Sequence, residues 1–334
     1  MAIKGLIKHI GASAQLAAVL EVSGWPKPGN VHRTMDHSDA RYEHFLAGSI
    51  ALGSTVEAAA IRGLTIAKKQ IAISKIGVGK LVKRAVSDVA ESHHGGNTHL
   101  GVCLLFVPLA AAAAKTYIET GEISPTILRS NVKEIMKLTT PKDAIEIYEA
   151  IVSVSSPREL GKVSGNQAPD IYDRRAKRKI LADRISLFDV MKEASSYDSV
   201  ARELVTGMEV SFDVGYKELV ETFNRTRDIN IATVHTFLRI LSRIPDTFIA
   251  RKVGIKWTND IKKAVEMGSK ETMWISETAE EILKLNGLTT KEGEASLWEF
   301  DSKLQNLGKD YSPGTTADLT AAALMIALLC GLKF

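Results

Sequence analysis

Cysteine is nearly missing from this chain. Its 334 residues contain two, Cys103 and Cys330, each inside an Ala/Leu run. That excludes a disulfide framework and a cysteine-based zinc site, and it suits a reducing compartment. Proline is scarce, at nine residues, and aromatics make up 6%; both fit a helical protein better than a β one. Neither sign of charge dominates: 43 basic against 39 acidic residues leave +4. This permits an anionic substrate but is too weak and dispersed for a nucleic-acid partner. No apolar run reaches the roughly 20 residues that cross a bilayer. The longest, Gly101 to Ala114 and Leu319 to Leu332, hold about 14 each and are expected as buried core helices, with no membrane partner. The first residues, MAIKGLIKHI, lack a basic segment, apolar block and cleavage site, so the expected location is cytoplasmic.

What remains is ordinary globular composition, 45% hydrophobic and 25% charged, in a chain long enough for one large core. Apolar positions recur at spacings of three and four, as in Ile3, Leu6, Ile7, Ile10, Ala14, Ala17, Ala18 and Val22, which predicts helix. The same period continues through 45–69, 80–91, 99–120, 124–138 and 141–153. After one break it resumes in 186–195, 199–227, 229–243, 255–267, 270–286, 291–306 and 316–332. No alternating runs with hairpin turns appear, so a sheet is not expected. The fold class expected is all-α: a single large multi-helix bundle over 1–334, with inter-helix turns lining one polar cavity. The break, SSPRELGKVSGNQAPDIYDRRAKRK over 155–179, reads as a polar surface loop. A lid over a phosphate site is the functional reading of its Arg174, Arg175, Lys177, Arg178 and Lys179, against the plainer reading of a solvated face.

Ile76-Gly-Val-Gly-Lys80 looks like the end of a phosphate loop, but Ser74 and Leu81 break that pattern and no strand precedes it. Four other places hold more polar and turn-forming residues than a helical core needs. In 21–45, a Pro26-Lys-Pro-Gly29 turn is followed by His32, Arg33, Asp36, His37, Asp39, Arg41, Glu43 and His44. A helix cap needs one acceptor; two carboxylates with histidines suit a Mg²⁺ that carries a substrate polyphosphate. In 92–101, Gly95-Gly96 permit positive φ, and a helix starting near Thr98 offers free N–H groups to an anion. Capping by Asn97 or Thr98 is the structural alternative, and zinc on His94 and His99 lacks a third ligand. Pro245-Asp-Thr-Phe-Ile-Ala-Arg251 reads alone as a capped helix start. Last, Pro313-Gly-Thr-Thr-Ala-Asp318 opens the apolar carboxy-terminal helix, where an Asp also complements the helix dipole. Helix starts grouped around one polar hollow suit a polyphosphate.

These four motifs, in this order, resemble the triphosphoribosyl-dephospho-CoA synthase family. The residues that carry the resemblance are Pro26 to Gly29, His37 and Asp39, Asn97-Thr-His-Leu-Gly101, Asp246-Thr247 with Arg251, and Pro313-Gly-Thr-Thr-Ala-Asp-Leu319. Positions 120–240 contribute no motif. The chain departs from the pattern at Leu100, where Lys is usual, and at Ser312-Pro-Gly-Thr315, where Asn-Pro-Gly-Gly is usual; it looks like a divergent, archaeal-type branch.

The resemblance implies an all-α transferase that moves the 5-triphosphoribosyl group of ATP to the 2′-hydroxyl of 3′-dephospho-CoA and releases adenine. It points to Asp39, His37, His99 and Asp318 as catalytic. Lys27, Asn30, Arg33, Asn97, Thr98, Arg251, Thr315 and Thr316 would bind substrate or phosphate. Asp36, Asp39 and Asp246 would hold Mg²⁺. A carboxylate beside C1 would stabilise oxocarbenium charge, and His37 or His99 would move a proton. Adenine would stack on Trp25 or Tyr42. The expected partners are ATP and dephospho-CoA or another hydroxyl acceptor, and a homodimer stays open. Two rivals remain at this point: α-ribosyl-phosphate transfer to a methanopterin-type acceptor, suggested by Leu100, and a non-enzymatic helical protein whose turns are only caps.

Overall fold

The three-and-four spacing of apolar residues builds helices along the chain, and the computed structural model describes residues 2–155, 161–163 and 168–334. The first seven helices are α1 Ile3–Ser23, α2 Tyr42–Ala51, α3 Gly53–Ala67, α4 Val78–Ser92, α5 Leu100–Thr120, α6 Pro125–Lys137 and α7 Pro141–Val154. Then come α8 Ala176–Ala182, α9 Leu187–Ala194, α10 Ser199–Thr206, α11 Lys217–Thr226 and α12 Ile229–Arg243. The last five are α13 Thr247–Gly254, α14 Ile261–Glu271, α15 Met273–Lys284, α16 Lys291–Leu307 and α17 Gly314–Leu329. Among the described residues no strand forms; two isolated bridges, His32 with Met35 and Lys162 with Asp260, are the only β pairing. The expected all-α class holds.

α5 is the axis of the larger core. Its residues from Val102 to Thr116 are buried, and α1, α3, α4, α6 and α17 pack around it. By length and composition it could cross a bilayer, yet 83% of its apolar window is buried inside the protein. Small residues set the helix spacing: a Cβ on Gly63 would lie 1.9 Å from the Ala111 carbonyl oxygen, so α3 and α5 can approach this closely only with glycine there. A second core gathers α12, α13, α15 and α16 around Phe237, Leu238 and Phe300. Each large side chain fully buried in either core contributes roughly 1.5–3 kcal/mol.

Two expected helices are broken. Positions 45–69 form α2 and α3, with the joint at Leu52. Positions 199–227 stop at Gly207 and Met208, both at positive φ, and restart through a π-helical turn at Ser211–Tyr216. Buried Glu203 holds that turn by accepting the Val210 and Ser211 N–H groups, both at 2.8 Å, and the Ser211 hydroxyl at 2.6 Å. Periodicity cannot show a carboxylate folded back on its own chain.

Of the expected 155–179 excursion, positions 156–160 and 164–167 lie outside the described residues. The basic cluster falls on and just before α8, where its side chains are exposed and Lys177 pairs with Glu149. None of those five residues lines the cavity described below. For those five residues the solvated-face reading fits, while Ser155, Gly161, Val163 and 168–171 of the same excursion do line the cavity.

Candidate active site

The first turn is anchored from across the fold. Gly29 sits at φ +68°, and a Cβ there would lie 2.7 Å from the Leu304 Cβ, so glycine is required on both counts. Its N–H donates to Asp301 on α16 at 2.9 Å, and the His32 ring nitrogen Nε2 lies 3.1 Å from the other oxygen of that carboxylate. Trp25 packs edge-on against Trp298 of the same helix, with ring centroids 5.2 Å apart. The turn delivers His37 and Asp39 to a cavity wall. Burial lowers the His37 pKa, while first the neighbouring Asp39 carboxylate and then hydrogen bonds to the Gly29 backbone and the Gln305 side chain work against that shift. Asp39 accepts from Lys309 Nζ at 2.9 Å, and that bond holds its carboxyl below the usual carboxylate range.

The second turn runs from α4 into α5. Asn97 Oδ1 accepts the Leu100 N–H at 3.1 Å, so Asn97 is a cap. Neither Gly95 nor Gly96 has positive φ; a Cβ on Gly95 would instead meet the His44 ring at 2.3 Å. The helix starts at Leu100, two residues after the expected Thr98. The His99 Nδ1 lies 2.7 Å from the Thr98 hydroxyl, and its Nε2 lies 3.2 Å from the Ser49 hydroxyl. Ser49 gives its own proton to the Phe45 carbonyl, so His99 must donate through Nε2 and accept through Nδ1. Burial pulls its pKa down to about 3.

The third and fourth motifs meet at Asp246. One carboxylate oxygen caps α13 by accepting the Phe248 and Ile249 N–H groups at 2.9 and 3.1 Å. The other accepts the N–H and hydroxyl of Thr316 at 2.7 and 2.8 Å. A single buried carboxylate thus ties the start of α17 to the start of α13. Asp318, one turn further along α17, reaches the start of α5, where the Val102 N–H hydrogen bonds to it. Space for it comes from Gly101, whose Cβ would lie 2.0 Å from Asp318 Oδ2. Burial raises the Asp318 pKa well above the carboxylate range, with Glu21, Asp246 and Asp198 adding to the rise. Glu21 is itself buried in an ion pair with Lys27.

These turns open on one cavity of about 480 Å³. Asn30, His37, Asp39, Asn97, Thr98 and His99 line it, as do Arg251, Thr315 and Asp318. The Arg251 Nε is buried with no hydrogen-bond partner among the described residues, and its guanidinium lies over the Phe248 ring at 5.3 Å. Arg251 as a residue lines the cavity, which makes its guanidinium the candidate anion contact on this wall.

Other expected residues are committed elsewhere. Lys27 is not on the wall; it is 1% exposed, paired with Glu21 and bonded to the Glu21 carbonyl at 3.0 Å. Exposed Arg33 donates to the Ser23 carbonyl at 2.6 Å and holds the loop against Asn230. Thr316 is spent on Asp246. His99, with both nitrogens bonded and its ring neutral, is placed to position Thr98 rather than to carry a proton. Trp25 and Tyr42 are absent from the lining: Trp25 is held by Trp298 and Thr34, and the Tyr42 hydroxyl lies 2.8 Å from that of Ser23. The aromatic rings on the wall are Phe45, Phe248, Tyr148 and Tyr197.

The expected metal set does not assemble. Among the described residues no group of three His, Cys, Asp or Glu could hold an ion. Asp36 is exposed, accepts the Tyr42 N–H at 2.8 Å and pairs with Arg41, and all four bonds of Asp246 are structural. Asp39 alone of the three lines the cavity. One carboxylate fits a Mg²⁺ that arrives on a phosphate chain and keeps its waters; it does not make a standing metal site.

Sequence reasoning missed Asp301, Glu21, Lys252 and Lys309. Lys252 and Lys309 line the cavity. Lys309 stands three residues before Ser312, so nearness to the fourth motif was the one available signal. Asp301 carried none.

A family model described as CitG, ATP:dephospho-CoA triphosphoribosyl transferase, matches residues 7–333. Among solved structures, one from Archaeoglobus fulgidus, provisionally described as a triphosphoribosyl-dephospho-CoA synthase, superposes with a TM-score of 0.55 at 25% identity. The match covers 84% of this chain and 99% of that one. No curated protein matches the chain significantly.

Proposed function

The chain belongs to the family of ATP:dephospho-CoA triphosphoribosyl transferases, and from that premise we propose how its own residues carry the transfer. The reaction moves the 5-triphosphoribosyl group of ATP to the 2′-hydroxyl of dephospho-CoA and releases adenine. Membership does not favour a methanopterin-type acceptor or a non-enzymatic scaffold.

The observation that carries the assignment is the arrival of Asp39, Arg251 and Asp318, from three separate motifs, on one cavity. Arg251, with Lys252 and Lys309 on the same wall, supports a triphosphate seat beside Thr315. The two carboxylates differ in kind. Lys309 holds the Asp39 carboxyl low, whereas burial pushes that of Asp318 up. Such a split marks a base and an acid. Asp318 gives its proton to the departing adenine as the C1–N bond breaks. Asp39 faces the developing positive charge on the ribose and accepts the proton of the attacking hydroxyl. His37, held by Gly29 and Gln305, orients the loop that bears Asp39. Mg²⁺ is proposed as a companion of ATP, neutralising phosphate charge when bound, with Asp39 the protein residue able to reach it. Free thiols at Cys103 and Cys330 support a reducing, cytoplasmic setting.

Incubation with Mg²⁺, ATP and dephospho-CoA, following free adenine, tests the reading. Adenine release that requires both substrates is expected. No release from folded protein, or release indifferent to Asp318→Asn, overturns it.

A further inference from the structure

Arg251, Lys252 and Lys309 account for only part of the wall. A second stretch is built by α7, α9 and α10, which pack in series, and by Gly161, Val163 and 168–171. Its surface is mostly apolar: Ile151, Val154, Val190, Met191, Ala194 and Val200. Tyr148 and Tyr197 add two rings, and the Tyr148 hydroxyl is taken by the Pro169 carbonyl at 2.8 Å. The charged residues on this stretch are acidic, namely Asp170, Glu193 and Asp198, and among the described residues no Lys or Arg from it lines the cavity. A phosphate would be repelled here, while an uncharged chain with amide N–H groups would find apolar contact and acceptors. The stretch begins beside the chemistry: Asp198 heads α10, with its carboxylate on the Ala201 N–H at 2.9 Å, and its charge is felt at Asp318.

We infer that this stretch seats the pantetheine chain of dephospho-CoA, and that the protein tells its acceptor from ATP by it. The inference rests on the transfer reading above. ATP and dephospho-CoA share adenosine and a 5′-phosphate chain, so the adenosine end offers little to distinguish them; the uncharged, amide-bearing chain does. Selection on the part of the acceptor far from the reacting hydroxyl also keeps a second ATP from being ribosylated.

The test compares two acceptors at saturating ATP: dephospho-CoA, and the methyl ester of ADP, which keeps the adenosine and diphosphate and lacks the chain. Wild-type protein is expected to prefer dephospho-CoA by about a hundredfold in kcat/KM. In Ala194→Trp, which fills the stretch, that preference falls at least tenfold. Should the variant fail to fold, pantetheine with the wild-type protein serves instead, inhibiting competitively against dephospho-CoA and not against ATP. Equal use of the two acceptors, a preference unmoved in folded Ala194→Trp, or pantetheine competing with ATP overturns the subsite while leaving the transfer intact. No adenine release with either acceptor removes the transfer reading, and the subsite with it.

Discussion

Adding one methyl group at Gly101 separates the chemistry from the fold. The alanine Cβ would lie 2.0 Å from Asp318 Oδ2, 2.3 Å from its Cγ and 2.9 Å from Oδ1. Ordinary contact begins near 3.4 Å, so the carboxyl must retreat by more than 1 Å or the start of α5 must shift. Displacement of about 1 Å in a reacting group costs on the order of a hundredfold in rate. Stability moves far less. Alanine gains about 1 kcal/mol over glycine within a helix, and local overpacking takes back roughly 1–3 kcal/mol. Gly101→Ala is therefore expected to fold, melt within a few degrees of wild type and lose about a hundredfold in kcat/KM for adenine release. Full activity in a folded Gly101→Ala protein would refute the place given to Asp318.

Asp318→Asn should abolish at least a hundredfold of activity yet raise thermal stability at neutral pH. The sign follows from linkage: a carboxyl whose folded pKa is raised binds more protons folded than unfolded, so stability falls as pH rises from about 3.8. The wild-type melting temperature, followed against pH, should drop over that window relative to Asp318→Asn. Arg251→Ala should raise KM for ATP at least tenfold with little change in melting temperature, since its Nε has no protein partner to lose; an unchanged KM would contradict the phosphate seat. Asp246→Asn should cost about 2–3 kcal/mol in denaturant unfolding, because an amide cannot accept all four of its hydrogen bonds. Lys27→Met should cost about 3–5 kcal/mol by leaving Glu21 buried and unpaired, and adding Glu21→Met should recover most of it.

The helical class and the positions of the turns were legible because both depend on local pattern: apolar spacing, Pro at helix starts, Gly in turns. That several turns share a hollow was legible as well, since each precedes an apolar helix whose start had to point somewhere polar. What each polar side chain does was not. Lys27 in a Pro-fixed turn looks like a phosphate ligand until Glu21 is seen buried against it. Asp246 looks like one cap and proves to hold two helices, because Thr316 lies 70 residues away in sequence. His93 stacks on His44 at 5.2 Å, yet the hydrogen bonds of His93, His44 and His99 go to the Thr98 and Ser49 hydroxyls and to the Arg41 and Gly95 N–H groups. The acidic, apolar wall from α7, α9 and α10 lies in the stretch where no motif could be read, because an apolar subsite has the same residue pattern as a core.

A structure of the protein with a non-reacting ATP analogue tests the central claim most directly. The account predicts triphosphate oxygens within hydrogen-bonding distance of the Arg251 guanidinium, with the ribose between Asp39 and Asp318. An analogue bound on another face, or one whose ribose lies away from both carboxylates, would contradict it.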